Sequence, residues 1–259
     1  MNVLTRLKIL GILFASLVLV ACASSSADLL TPQGALRMGL YKGSPTSVLD
    51  FDGPTQPRGI GYELGKNLAA QLEVGYDPVV FEKNADVLAA IKNSSVDLVF
   101  TNASADRAQF IQFSKTVIRI EKGFLISPHS RLQSIPEINH RNVRIGYSVG
   151  SNSQSELPKI IPNATLVATQ STKSAIAMLK SGELDGFSTN KAILFEMAGS
   201  IPKSQVLPAV IGYEYLALGT PKSRAISDSL LNNFIDRMES TGKLQEIIRR
   251  SGIQGLAPN

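Results

Sequence analysis

The chain has no tryptophan, one cysteine (Cys22) and two histidines (His129 and His140). A single cysteine excludes an internal disulfide. The histidines lack neighbouring cysteines or clustered carboxylates, so no metal constellation is expected, and no cofactor. Charged residues make up only 18% and no Lys/Arg block occurs, although the formal net charge is +5. That balance argues against nucleic-acid binding, which favours a concentrated basic face. No repeat of solenoid period is present. Gly59, Gly61 and Gly65 do not have the spacing of a dinucleotide loop, and no phosphate-cradling or nucleophile-elbow motif is found. What is abundant is apolar material, 44% of residues, enough for a core and too much for a disordered chain.

The N-terminus carries a processing signal. Arg6 and Lys8 precede an uncharged, almost wholly apolar run over residues 9–20. That run is shorter than the roughly 20 residues that span a bilayer, and a basic region before it reads as an export signal. Leu19-Val20-Ala21-Cys22 resembles the bacterial lipoprotein box, in which the cysteine is lipidated and becomes the mature N-terminus. The expected division is a signal peptide over 1–21 and a serine-rich tether over 22–30, giving a periplasmic protein anchored by lipid at Cys22. Removing the signal lowers the net charge by two and leaves a length suited to one large or two small domains.

The body alternates strand-like and helix-like segments. Strands are expected at 36–41, 78–82, 96–100, 117–126, 143–147, 165–168, 184–188, 205–208 and 214–218. Helices are expected at 60–73, where Ile60, Leu64, Leu68 and Leu72 fall four apart, and at 85–92, 151–160, 171–180, from 191, 225–239 and 243–250. Such alternation argues for parallel sheets covered by helices. The pattern restarts near residue 130, where Pro128, Ser130 and Pro136 mark a break. Two α/β lobes meeting at a cleft follow, and domain interfaces at strand ends favour ligand sites. Lobe 1 is expected over 31–127 plus 221–259 and lobe 2 over 128–220, with crossing segments near 126–130 and 218–222.

The motifs along this body resemble the family 3 extracellular solute-binding proteins, the polar amino-acid-type receptors of ABC importers. Gly59-Ile60-Gly61-Tyr62-Glu63-Leu64-Gly65 matches an early motif of that family, with Gly65 in place of an aspartate. Residues 103–107 with 111–114, 143–150, 178–186 and 241–247 match later motifs in order. The resemblance implies a type II two-lobed periplasmic-binding-protein fold joined by a two-segment hinge. It also implies a monomer that captures a small ligand between its lobes and delivers it to an inner-membrane permease.

Arg107 is the first candidate ligand contact. A guanidinium fork grips a carboxylate through two parallel hydrogen bonds, which is the role the resemblance gives it; a surface ion pair with Asp106 or Asp86 is the plain alternative. Asn102 and Ser104 either bond a polar ligand or cap the next helix. Ser151 and Gln154 have the form of a capping box. That helix start, with Asn152, would present free N–H groups to an anion in the cleft, or merely face solvent. Asn190 stands where the family has an aspartate for the ligand ammonium, which points to an organic acid, a modified amino acid or another polar anion; otherwise it is a helix cap. Tyr41 walls the pocket or is structural. Two rival functions remain. One is a dehydratase of cyclic dienyl acids, for which Glu63, Glu121 and Glu196 are undistinguished acid candidates. The other is a periplasmic sensor or scaffold.

Overall fold

A computed structural model describes residues 26–53, 56–224, 226 and 228–257. The export signal and Cys22 lie outside these. A short helix α1 (Ser26–Leu30) leads into β1 (Ala35–Tyr41), α2 (Ile60–Gln71), β2 (Gly75–Phe81), α3 (Asn84–Lys92) and β3 (Leu98–Asn102). Then come β4 (Ile111–Phe113), β5 (Ile118–Ile126) and α4 (Ile135–Ile138). The second unit is β6 (Arg144–Ser148), α5 (Ser153–Ile160), β7 (Thr165–Thr169), α6 (Thr172–Ser181) and β8 (Gly186–Asn190). The chain continues through α7 (Lys191–Gly199), β9 (Gln205–Val206), β10 (Gly212–Pro221), α8 (Asp228–Ser240) and α9 (Lys243–Ser251).

The two lobes repeat one plan. β1 pairs in parallel with β2 and β3, and β6 pairs in parallel with β7 and β8. Each lobe also repeats one electrostatic device. In lobe 1 Arg37 on β1 donates from its backbone N and Nε to Asp97 Oδ2 (2.9 and 3.0 Å) and from Nη2 to Ser94 O (3.0 Å). In lobe 2 Arg144 on β6 donates from N and Nε to Asp185 Oδ2 (2.8 and 3.0 Å) and from Nη2 to Gly182 O (2.8 Å). Each aspartate immediately precedes its lobe's third strand, so the pair pins that strand to the first. Asp97 is fully buried and takes a second guanidinium, from Arg224.

The hydrogen-bonded ladder does not stop at the lobe boundary. Its order is β2-β1-β3-β10-β5-β8-β6-β7, with β4 on β10 and β9 on β5. Two parallel sets are therefore joined through two antiparallel strands, and the expected separate sheets are one curled ladder. β5 and β10 pair with each other over 118–122 and 212–216. Beyond that stretch they part: 122–126 of β5 pairs with β8, and 216–219 of β10 pairs with β3. The crossing thus lies inside the strands, several residues before the expected segments at 126–130 and 218–222. Phe124 and Ile126 pack in a lobe 2 core with Ile145 and Leu157, while Leu218 packs in the lobe 1 core.

Lobe 1 buries Ile60, Leu64 and Leu68 of α2 against Leu36, Met38 and Leu40 of β1. Each such side chain contributes about 1.5–3 kcal/mol by leaving water. Gly65 is needed for this approach, because a Cβ there would meet Met38 Sδ at 2.2 Å. Phe234, Ile235, Leu244 and Ile247 of α8 and α9 join the same core, so the C-terminal helices return to lobe 1. The segment after α9 lies along β5: Glu121 N donates to Gly255 O at 3.0 Å and Ala257 N to Arg119 O at 2.9 Å.

Candidate functional site

β3 ends with Thr101 and Asn102, and a short turn then brings Arg107 back beneath them. β8 ends with Thr189 and Asn190, and β6 with Ser148. These strand ends from opposite lobes face one another around a cavity of about 60 Å³, floored by Glu214 and Leu216 of β10. Tyr41, Ser44, Thr46 and Ser47 close it on the lobe 1 side and Ser151 on the lobe 2 side. Strand ends converge here because the parallel sets of both lobes run toward the cleft, the arrangement that makes such crevices binding sites.

Arg107 is buried at 7% exposure. Nη1 donates to Thr101 Oγ1 (2.5 Å) and to Asn102 O (3.5 Å), and Nη2 reaches across to Gly150 O (3.2 Å) in lobe 2. Among the described residues it has no ion-pair partner, so neither Asp106 nor Asp86 claims it. Burial pushes its pKa down, opposed by the charges of Glu214 and Asp106; a guanidinium keeps its proton regardless. A buried arginine with unused donors at a cavity wall is competent to grip an oxyanion.

Asn102 lines the cavity, donating to Asn152 Oδ1 across the cleft (3.1 Å) and accepting from Tyr215 N (2.9 Å). It therefore caps no helix. Tyr41 also lines the cavity, and its hydroxyl meets Thr172 Oγ1 of lobe 2 at 2.6 Å. Asn190 Oδ1 caps α7 by accepting from Ile193 N (3.1 Å), and the residue also lines the cavity. Ser104 and Asn152 are displaced. They line an adjoining pocket on the far side of Arg107 with Gln154 and Ser155, and the buried Ser104 hydroxyl has no partner among the described residues. The Ser151–Gln154 capping box does not form. α5 begins two residues later with Asn152 at its N-cap and no side-chain cap, because the Ser151 hydroxyl donates instead to Ser148 O (2.7 Å). The α5 start consequently opens on the adjoining pocket and not on the main cavity.

Two buried ionisable groups escaped the sequence reading. Glu214, 7% exposed, lines the cavity and accepts from Asn190 Nδ2 at 2.8 Å. Lys122, 2% exposed, touches the Glu156 carboxylate as an ion pair without hydrogen-bond geometry. Burial pushes the Lys122 ammonium down, Glu214 opposes this, and Arg107 adds to it. Both residues fall in phase with the buried side of their strands, Lys122 with Ile120 and Phe124, and Glu214 with Leu216 and Leu218. A charge on the apolar phase of a strand was the available signal. Of the carboxylates weighed as acid groups, Glu121 pairs with Lys191 (2.8 Å) and Glu196 lines a separate groove. Glu63 sits on α2 beside a small lobe 1 pocket, away from the main cavity. His129 and His140 are not drawn into a metal-binding cluster among the described residues.

Residues 36–252 match the protein family described as bacterial extracellular solute-binding proteins, family 3. The chain is 21% identical over 162 residues to the ABC transporter glutamine-binding protein GlnH of Bacillus subtilis (strain 168), covering 62% of this chain and 59% of that one. It is 22% identical over 134 residues to the glutamine-binding protein of Geobacillus stearothermophilus, 51% of each chain. It thus spans between half and six-tenths of these curated relatives. Solved structures extend the likeness in fold. An L-cysteine solute receptor of Neisseria gonorrhoeae superposes with a TM-score of 0.79 at 19% identity, covering 91% of this chain and 100% of that one. An L-arginine-bound ABC transporter substrate-binding protein of Streptococcus pneumoniae gives 0.77 at 16%, with coverages of 91% and 100%. The ancestral amino acid-binding protein AncCDT-1, described as a precursor of cyclohexadienyl dehydratase, gives 0.75 at 20%, with coverages of 87% and 99%.

Proposed function

Because this chain belongs to the bacterial extracellular solute-binding proteins of family 3, we propose that it captures a small carboxylate-bearing, amino-acid-like metabolite between its lobes and presents it to the permease of an ABC importer. The observation that carries this reading is Arg107, a buried guanidinium on the cavity wall whose nearest partners are neutral oxygens. A ligand carboxylate completes it. Binding and closure are coupled through the same groups, since Arg107 also bonds Gly150 O of the facing lobe and Asn84 Nδ2 does likewise (2.9 Å). A ligand touching both walls stabilises the closed arrangement by its differential affinity for it. The strand stretches 118–122 and 212–216, the places where the ladder passes between lobes, serve as the hinge.

The names of the curated relatives support binding as the role, and glutamine, arginine and cysteine are the ligand types their names and those of the structural neighbours suggest. Export and lipidation at Cys22 would tether the protein at the membrane surface, close to its permease. The test is a thermal-shift screen of L-amino acids, their des-amino acids and dicarboxylates, followed by calorimetry on wild type, Arg107→Ala and Arg107→Lys. Saturable one-to-one binding that collapses in Arg107→Ala supports the reading. Turnover of a cyclic dienyl acid, with release of water, would replace it.

A further inference from the structure

We infer that the C-terminal residues 253–257 form a strap behind the crossing strands, which holds the lobes at the closed angle by butting lobe 1 against the start of α7 in lobe 2. This goes beyond the solute-binding reading and holds whichever ligand is captured.

β5 has two edges at the crossing. Ile120 pairs with Glu214 of β10 on one and with Leu256 on the other. The second edge is shared end to end. Glu121 N donates to Gly255 O (3.0 Å) and Ala257 N donates to Arg119 O (2.9 Å), and from Lys122 onward the edge facing away from β10 carries β8. The strap arrives from lobe 1, because it follows α9, whose Leu244 and Ile247 lie in the lobe 1 core. It begins just past the stretch 36–252 that matches the family. What it abuts belongs to lobe 2: β8 ends at Asn190, and Lys191 opens α7.

The joint is tight. Gly255 (φ 80°) has no room for a side chain, since a Cβ would meet Lys191 Cβ at 2.5 Å and the Lys191 carbonyl carbon at 3.1 Å. Lys191 is itself fixed. Its buried stem runs over Gly123, where an added Cβ would lie 3.1 Å from Lys191 Cε. Its Nζ donates to Glu121 Oε2 (2.8 Å) and Pro208 O (2.9 Å). Glu121 is thus gripped twice, its backbone by the strap of lobe 1 and its carboxylate by the lysine of lobe 2. β5 passes from β10 to β8 directly after this residue. Turning lobe 2 about that point moves Lys191 relative to Gly255, and a close-packed joint fits at one angle only. That angle is the one at which Tyr41, Asn102 and Arg107 reach Thr172, Asn152 and Gly150 across the cleft. The strap therefore favours the closed state.

Hydrogen exchange read by mass spectrometry on the purified, ligand-free protein tests this without a ligand, so its outcome is separate from that of the solute-binding reading. Two variants are compared with wild type: a chain ending at Gly252, and Gly255→Ala, which keeps the strap but wedges a methyl into the joint. In both, the cleft-wall segments 41–47, 101–107 and 149–153 are expected to exchange roughly fivefold or more faster than in wild type. α2 in lobe 1 and β6 in lobe 2 are expected to keep wild-type rates, which shows that each lobe is folded. Wild-type rates at the cleft wall in either folded variant overturn the inference. So does a rise in α2 equal to that at the cleft wall in Gly255→Ala, which would make residues 253–257 a part of the lobe 1 fold and no strap. If the shortened chain does not fold, Gly255→Ala decides alone by the same two readings.

Discussion

Gly43 sits just past β1 at the place where the lobes touch. Thr172 Oγ1 donates to Gly43 O at 3.2 Å, so its single proton is used and Tyr41 must donate the 2.6 Å bond that joins the two hydroxyls. An alanine methyl at position 43 would lie 2.2 Å from Tyr41 Oη, 2.3 Å from its Cζ and 2.4 Å from Thr172 Oγ1. Contacts of that kind relax only by about 1 Å of movement, and overpacking of this size costs roughly 1–3 kcal/mol. The cost falls on the closed arrangement, because Thr172 belongs to lobe 2 and withdraws when the cleft opens, freeing the tyrosine ring. Ligand affinity should therefore drop roughly 5- to 150-fold in Gly43→Ala, with the melting temperature of the ligand-free protein unchanged. Calorimetry gives the first quantity and a thermal melt the second. Wild-type affinity in Gly43→Ala would refute the reasoning. So would a lowered ligand-free melting temperature with intact affinity, which would put the clash inside lobe 1.

Arg107→Ala should cost about 2–5 kcal/mol of binding, because the ligand carboxylate is left buried without its partner; Arg107→Lys should recover only part of it, a point charge being no substitute for a bidentate fork. Asp97→Asn should lower stability by about 3 kcal/mol, since two guanidinium groups converge on a carboxylate with no exposure; a urea melt with unchanged slope would show it. Burial is the largest single influence on the Asp185 carboxyl and pushes it up, yet the hydrogen bonds and charge of Arg144 together outweigh it and hold it below its ordinary value. Its stabilising contribution is accordingly complete above about pH 4, the unfolded carboxylate range, and is lost as pH falls through the lower folded value. Asp185→Asn should flatten the acid side of the stability profile, and an unchanged profile would remove the pair from the account. Cys22→Ser should move the protein from the membrane fraction to the soluble or unprocessed fraction on cell fractionation.

The alternation of elements was readable because each local signal acts over a few residues. The near-continuous apolar run at 96–100 and the four-residue spacing of Ile60, Leu64 and Leu68 are set by burial alone. The lobe crossing was not readable at its true position. β5 is strand-forming from Ile118 to Ile126 and changes lobe only by exchanging β10 for β8 as its partner. Gly123 sits at that exchange but inside a run that reads as one continuous strand, so the break at Pro128 drew the boundary past it. The site divides in the same way. Arg107, Asn102, Tyr41, Ser151 and Asn190 reach the cavity. Ser104 and Asn152 lie one layer away because the turn before Arg107 and the late start of α5 shift them. Glu214 was marked locally only by its charge on the apolar phase of β10; its contact with Asn190 spans two strands that are not neighbours in the sheet, a long-range juxtaposition that no local pattern carries.

In the proposed complex a small molecule bridging the lobes is held by Arg107. Native mass spectrometry of the protein purified without refolding, then mixed with the common L-amino acids, tests it most directly. A single added mass of a small metabolite is expected on wild type, shed on gentle activation and missing from Arg107→Ala. Wild type and Arg107→Ala with identical, ligand-free spectra under these conditions would contradict it.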